Sequence, residues 1–249
     1  MRAVSPFLHT VCCLLGIRWS NSGDGTSSAL HREIYEITRQ MLGDVMLITP
    51  LPIDEINGIL VMAQFASSPT VCMSLSRIAT KMLMIFSHQR GSEYIDSWLL
   101  SGHCAQQAML SFNFSEISSR ISDGTVTASD HRAIRIWANI CLVNLQLVHL
   151  TYSFFKVINY PLHLRWGATA GRPPTIPSHY LNQCKLLLNL EQATLRDGML
   201  VAEIELYTIV HDQFASKHYL DRDGGSQVMV AWKSKWNHLL GRSHISDRK

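Results

Sequence analysis

Apolar side chains recur along most of the chain at the three- and four-residue spacing of an amphipathic α-helix. The stripes that follow this spacing are Leu30, Ile34, Ile37, Met41; Ile53, Ile56, Leu60, Ala63; Ile134, Trp137, Cys141, Leu145, Val148; Leu195, Ala202, Leu206, Ile209; and Met229, Trp232, Trp236, Leu239. Alternation with a period of two, which marks strands, is scarce. The pattern predicts an all-α, irregular multi-helix domain of about eight helices.

Breaks between the stripes set the expected ends of these helices. The first helix begins after Ser5-Pro6, and Ser27 or Ser28 caps the second, which Gly43 ends. Pro50 and Pro52 then mark a turn, and Asp54 and Glu55 suit the first turn of the helix that follows. Further helices are expected at 71–88, at 129–152, from Ser178 with Leu181, Cys184 and Leu188 on its apolar side, and from about Ala193, and a turn is expected at Asp123-Gly124.

Small residues on one predicted helix indicate close packing against a neighbour. Trp98, Gly102 and Ala105 lie on one stripe that follows Asp96. Because Gly and Ala carry little side-chain volume, another helix can approach this face closely, with Trp98 as an anchor. We expect these three residues to serve helix packing.

Composition and charge narrow the class of protein. The 249 residues are 47% hydrophobic and 16% charged, which indicates a packed globular domain, and the net charge of +3 is small for a DNA-binding module. The six cysteines contain no Cys-x-x-Cys pair, so they predict neither a zinc site nor a disulfide framework and fit a reduced intracellular protein. Polar residues interrupt both long apolar segments, 4–17 and 140–164, so no membrane partner is expected.

A search for catalytic signatures gives no catalytic residue, no metal ligand and no cofactor. The chain lacks a phosphate-binding loop, a nucleophile elbow and a His-Glu-x-x-His motif. The irregular segment 167–177 is its most distinctive feature that is not periodic. Arg172 lies there between Gly171 and Pro173, and it can either brace the loop by donating to backbone carbonyls, which we favour, or bind a ligand.

Several stretches in a fixed order resemble the middle homology region of fungal zinc-cluster transcription factors. They are 5–8, 11–15, 53–66, 96–105, 135–142 and 171–174. The resemblance spans residues 4–240 as one domain and is closest to the subgroup of the transcriptional activator of secreted proteases. Residues 70–92 and 149–165 look inserted relative to the family pattern, either as genuine additions or as artefacts of the gene model, and 241–249 form a polar tail.

The resemblance implies a regulatory domain in the nucleus that has other transcription proteins or a small effector as partners, and a homodimer in the intact factor. DNA would be bound only through a zinc cluster, which is missing in this chain. The resemblance also places the helix of Trp137 beside the loop of Gly171, Arg172, Pro173 and Pro174, so we expect these five residues to form a structural hub. A helical intracellular metabolic or lipid-modifying enzyme is the alternative function.

Overall fold

The computed structural model describes residues 5–20, 25–66, 97–157, 175–215, 227 and 229–237. These residues form helices joined by turns and contain no strand, which confirms the all-α prediction. The helix predicted at 71–88, the segment 70–92, the tail 241–249 and the Gly171–Pro174 loop lie outside the described residues. Of the segment 149–165, residues 149–157 continue a long helix.

The helices follow one another as α1 (Pro6–Ser20), α2 (Gly25–Met46), α3 (Ile53–Val61), α4 (Ser97–Ser111), α5 (Phe114–Ser122), α6 (Ala128–Val157), α7 (Ser178–Leu181), α8 (Leu195–Ala215) and α9 (229–237). A π-helical turn, Met62–Ala66, extends α3, and a 3₁₀ segment, Asn182–Asn189, extends α7. Contacts group the chain into two compact units, Met1–Gln107 and Ala108–Lys249. The expected single domain over 4–240 stays a prediction.

In the first unit, α1 packs against both α2 and α3. It begins at Pro6 as predicted, and the Ser5 hydroxyl oxygen accepts a hydrogen bond from the backbone N–H of Leu8 (3.1 Å), which satisfies one of the open donors at the helix start. Phe7, Val11 and Leu14 are buried at i, i+4 and i+7. One face of α1 therefore forms core while the opposite face remains in solvent.

Gly58 in α3 allows Phe7 to approach the helix backbone. A Cβ atom at position 58 would lie 2.7 Å from Cε1 and 2.8 Å from Cδ1 of the buried Phe7 ring. We expect Gly58→Ala to lower the free energy of unfolding by about 1–3 kcal/mol, because the ring must move in a packed core. Urea titrations followed by circular dichroism measure the change.

Gly43→Ala is the matched control for that substitution. Gly43 lies inside α2, exposed and with open space where a Cβ would lie, so we expect Ala there to raise the free energy of unfolding by about 0.5–1 kcal/mol through helix propensity. Equal effects of the two substitutions would contradict the packing at Gly58. The position of Gly43 also shows that its prediction as the end of the helix was wrong.

Helix α2 buries a different face from the one predicted. Leu30 and Ile37 are 48% and 44% exposed, whereas Thr38, Leu42 and Val45 are buried. Thr38 is accommodated because its hydroxyl donates to the carbonyl oxygen of Ile34 (2.6 Å). The helix also begins at Gly25, so Ser27 and Ser28 lie within it and do not cap it.

The stripe of α3 is largely confirmed. Ile56, Leu60 and Ala63 are buried, and Asp54 and Glu55 lie in the first turn as predicted.

In α4, Gly102 and Ala105 are buried and Trp98 is half-buried. The Cys104 thiol donates to the backbone carbonyl of Ile56 (3.3 Å) and so joins α4 to α3. The packing role of Trp98, Gly102 and Ala105 stays a prediction.

In the second unit, α6 is the central element and contacts both α8 and the 3₁₀ segment. Ile134, Trp137, Cys141 and Leu145 are buried as predicted, and the helix continues past the expected end at Tyr152 to Val157.

Helix α5, which precedes α6, was not predicted. The Asn113 side chain accepts from the backbone N–H of Glu116 (3.3 Å) at its start, and Gly124, with φ +66°, follows the end at the predicted turn.

The segment from Ser178 differs from the predicted α-helix. Only Ser178–Leu181 is α-helical, and Asn182–Asn189 is a 3₁₀ helix. In the 3₁₀ helix Cys184 and Leu187 are buried, and Leu190, three residues after Leu187, is buried as well. Leu188 of the predicted stripe is exposed. Three residues per turn place every third side chain on one face. Ser178 does not act as a cap, since Pro177 precedes the first helical residue.

Candidate functional site

An aromatic cluster surrounds Trp137 in the second unit. The fully buried Trp137 ring lies 5.1 Å from the ring centroid of Phe114 and 6.2 Å from that of Tyr180. Its indole N–H donates to the backbone carbonyl of Tyr180 (3.2 Å), so the polar edge of the indole is satisfied inside the core. The aromatic cluster (Phe114, Trp137, Tyr180) therefore joins α5, α6 and α7.

Asn144 fixes the chain two helical turns further along α6. It is fully buried, its amide nitrogen donates to the Thr175 hydroxyl oxygen (2.5 Å), and its carbonyl oxygen accepts from the Thr175 backbone N–H (3.3 Å). Ile176, the residue after Thr175, is also buried. The structure thus holds residue 175 on the helix of Trp137. The other members of the expected hub, Gly171, Arg172, Pro173 and Pro174, lie outside the described residues, and their role stays a prediction.

A buried carboxylate at the start of α6 binds an arginine from α5. Arg120 donates to both oxygens of Asp130 (2.7 and 3.0 Å), and the backbone N–H and hydroxyl of Thr127 donate to Oδ2 of the same carboxylate. Hydrogen bonds from Arg120 are the largest cause that lowers the pKa of Asp130 to about 2, against the opposing effect of burial. The Asp130 backbone N–H donates back to the Thr127 hydroxyl (3.2 Å), which completes a reciprocal cap of the helix.

The same arrangement recurs at the start of α8. Arg135 of α6 donates to both oxygens of Asp197 (3.0 Å each), and the backbone N–H and hydroxyl of Thr194 donate to Oδ2. Arg135 also donates to the backbone carbonyl of Gln192 (3.1 Å). Burial by itself raises the pKa of Asp197, but the hydrogen bonds from Arg135 and Thr194 outweigh it and leave the pKa below its ordinary value.

Sequence reasoning missed both arginine–aspartate pairs. Their signal is the pattern Thr-x-x-Asp at 127–130 and again at 194–197, which is typical of a capping box. The pattern locates the helix start and its carboxylate. It does not identify Arg120 or Arg135 as the partner, because that choice depends on how α5, α6 and α8 pack.

Helix α9 binds α8 through one helical turn. The Trp232 indole N–H donates to the backbone carbonyl of Ala202 (2.9 Å), and the Trp236 indole N–H donates to the Glu205 carboxylate (2.9 Å). Lys235 donates to both oxygens of Glu205 (2.8 and 2.9 Å) and lies over the Trp236 ring at 5.0 Å. Trp236 is buried, while most other side chains of α9 are exposed. The predicted stripe residue Leu239 lies outside the described residues.

The side chains described above pack in the core, cap helices and form ion pairs. Within them, no group of three or more His, Cys, Asp or Glu side chains could hold a metal ion. None of the helices in these ranges combines the length and apolar character needed to cross a membrane.

Comparisons with known proteins identify relatives over nearly the whole chain. The family model of the middle domain of the transcriptional activator of proteases prtT matches residues 1–153 and 159–247. Proteins named transcriptional activator of proteases prtT are similar to the chain: that of Aspergillus fumigatus is 28% identical over 96% of the chain, that of Aspergillus oryzae 32% over 59%, and that of Aspergillus clavatus 25% over 98%.

These alignments cover 28%, 20% and 33% of the three relatives, so the chain spans about a third of their length or less. No solved structure matches the chain significantly. The family is one of transcriptional activators, which excludes the alternative of a metabolic or lipid-modifying enzyme. The chain therefore belongs to the family of the prtT middle domain, a regulatory domain of fungal transcription factors.

Proposed function

We propose that the chain is the regulatory and interaction domain of a fungal zinc-cluster activator and that it acts in the nucleus. In this proposal it lies between a zinc cluster and an activation segment, and it controls transcription by binding other transcription proteins or a small effector. The family match over residues 1–153 and 159–247 is the observation that carries the proposal. The name of the relatives supports protease genes as the targets of the intact factor.

The second unit supports this function through the way α6 is held. Four side chains form hydrogen bonds that hold α6 in place. Arg120 joins α6 to α5, and Arg135 joins it to the start of α8. Trp137 joins it to α7, and Asn144 joins it to residue 175. Asn144 and the two aspartates that bind these arginines are buried, and buried polar groups with satisfied hydrogen bonds favour one arrangement of a core over others. A fixed arrangement presents a preformed surface, which lowers the entropic cost of binding a partner.

A domain exchange tests the proposal. The segment of the Aspergillus fumigatus relative that aligns with this chain would be replaced by residues 1–249, and transcription of protease genes would be measured under inducing and repressing conditions. We expect the chimera to keep regulated transcription, and we expect the same chimera carrying Trp137→Ala to lose it through loss of fold. A relative that stays fully regulated after deletion of the segment would contradict the proposal.

DNA selectivity, in this proposal, comes from the zinc cluster of the intact factor. The chain of 249 residues has a net charge of only +3, so it can neutralise few phosphates, and it contains no Cys-x-x-Cys pair of the kind that zinc sites use. We expect weak binding that falls steeply with salt and is equal for unrelated sequences. Fluorescence anisotropy at physiological salt measures it, and sequence-selective binding near 10 nM, typical of specific complexes, would contradict it.

A further inference from the structure

Helix α2 carries a second apolar face beside the one that packs in the first unit. We call this face the α2 stripe, and its members are Leu30, Ile34, Ile37 and Met41. Leu30 and Ile37 are exposed, and Ile34 and Met41 are half-buried, whereas Thr38 on the neighbouring face is fully buried. The periodic pattern that predicted a core face is therefore present on a face that stays accessible to solvent.

The spacing of the α2 stripe is that of a seam between two helices. Its four members are separated by four, three and four residues. This alternation is the a and d pattern of a coiled coil, in which each apolar side chain inserts between four residues of the facing helix. The stripe therefore fits a helix that lies along α2.

Acidic side chains follow the solvent side of the α2 stripe. We call this side the acidic edge, and its members, all exposed, are Glu33, Gln40 and Asp44. At about 100° per residue they lie on the side of the stripe away from buried Thr38. Arg32 and Arg39 lie beyond the buried face, where Arg39 binds Glu36 (3.1 Å). An apolar stripe with a charged rim is typical of a protein interaction surface.

We propose that the α2 stripe and the acidic edge dock an amphipathic helix of a partner protein, whose apolar side chains are flanked by Lys or Arg. The inference rests on the proposed function and names the surface through which the domain binds another transcription protein. Burial of Leu30 and Ile37 would drive the binding, and the charges of Glu33 and Asp44 would select a basic partner.

A second copy of α2 fits this surface less well. Two copies that pair their stripes in antiparallel orientation would bring the two acidic edges together. Because like charges across an interface oppose binding, the acidic edge favours a partner with the opposite charge.

Two designed peptides serve as probes of this surface. Each is about three heptads long with Leu at the a and d positions, and one carries Lys at the flanking positions while the other carries Glu. Fluorescence anisotropy measures their binding to the intact chain at physiological salt. We expect the Lys peptide to bind at least about tenfold more tightly than the Glu peptide and to weaken as salt rises. The net charge of the chain is +3, so a general attraction for basic peptides does not explain this order.

Substitutions on α2 test whether the peptide binds at this surface. Ile37→Ser should weaken binding of the Lys peptide at least about tenfold, because it removes a large apolar contact. Glu33→Lys combined with Asp44→Lys should reverse the preference between the two peptides. Val230→Ser is the matched control, since Val230 is 63% exposed on α9 and its replacement should leave binding unchanged. All four side chains are exposed, so we expect unchanged circular dichroism.

Equal binding of the two peptides, no binding to the intact chain, or binding that Ile37→Ser leaves unchanged would each overturn the proposal. Self-association of the chain that Ile37→Ser abolishes would assign the stripe to a second copy and overturn it as well. Failure of the proposed function is detected separately by the domain exchange. A chimera that keeps regulated transcription, together with a chain that binds neither peptide, would overturn docking on α2 but not the regulatory role.

Discussion

Replacing Trp137 by alanine is expected to lower the free energy of unfolding of the second unit by about 3–5 kcal/mol, the usual cost of deleting a buried tryptophan. The ring is fully buried and lies against Phe114 and Tyr180, so its removal leaves a cavity at the junction of α5, α6 and α7. The substitution also leaves the Tyr180 carbonyl without its indole donor. Urea titrations at pH 7, followed by circular dichroism, measure the loss.

Two milder substitutions separate volume from hydrogen bonding. Trp137→Phe keeps an aromatic ring but removes the N–H that donates to Tyr180, and we expect it to cost about 1–3 kcal/mol. Tyr180→Phe keeps the ring and the accepting carbonyl, so we expect a loss below about 0.5 kcal/mol. A Trp137→Ala protein as stable as the wild type would show that the aromatic cluster does not hold the unit together.

Helix α6 could be predicted well from sequence because apolar residues recur along its whole buried length. The stripe residues Ile134, Trp137, Cys141 and Leu145 are all buried, and so are Ile136, Ile140 and Val143 on its other faces. The end of the helix was less predictable, since no Gly or Pro occurs between Tyr152 and Val157. Periodicity therefore identifies a buried face more reliably than it identifies a helix end.

Helix α2 shows how the same reasoning fails. The predicted stripe begins at Leu30, whereas the observed buried face contains Thr38 and Val45. Both sets have helical spacing, and only packing against α1 decides which of them is buried. The predicted apolar stripe does not include Thr38, whose side chain is polar. Its hydroxyl is satisfied by the carbonyl of Ile34 on its own helix, so burial leaves no unpaired group.

The 3₁₀ segment was unpredictable for a related reason. Cys184 suits both an α-helical stripe with Leu188 and a three-residue period with Leu187, and local propensity scarcely distinguishes them. The segment contacts α5, α6 and α8, so tertiary packing determines which period is adopted. Of the candidate site, sequence identified Trp137 but not its partners. Phe114 lies in a helix that was missed, and Tyr180 lies in the short helix α7.

The second large effect is expected at low pH, from the Arg120–Asp130 pair. The pKa of Asp130 is lowered from 3.8 to about 2 in the folded chain. A carboxyl whose pKa is lower in the folded than in the unfolded chain adds stability that is complete above the unfolded value and is lost as the pH falls through the folded value. At about 1.4 kcal/mol for each pKa unit, the contribution of Asp130 above pH 5 is about 2 kcal/mol.

Asp130→Asn tests this contribution, with Glu116→Gln as the matched control. Both carboxylates bind Arg120, but the Asp130 side chain is 7% exposed and that of Glu116 is 64% exposed. We expect Asp130→Asn to cost about 2 kcal/mol at pH 7 and the difference from wild type to shrink between pH 5 and pH 2. Glu116→Gln should cost less than about 0.5 kcal/mol, because solvent screens an exposed ion pair. Urea titrations at pH 7, 5, 3 and 2 measure both, and equal losses at pH 7 would show that burial does not strengthen the Asp130 pair.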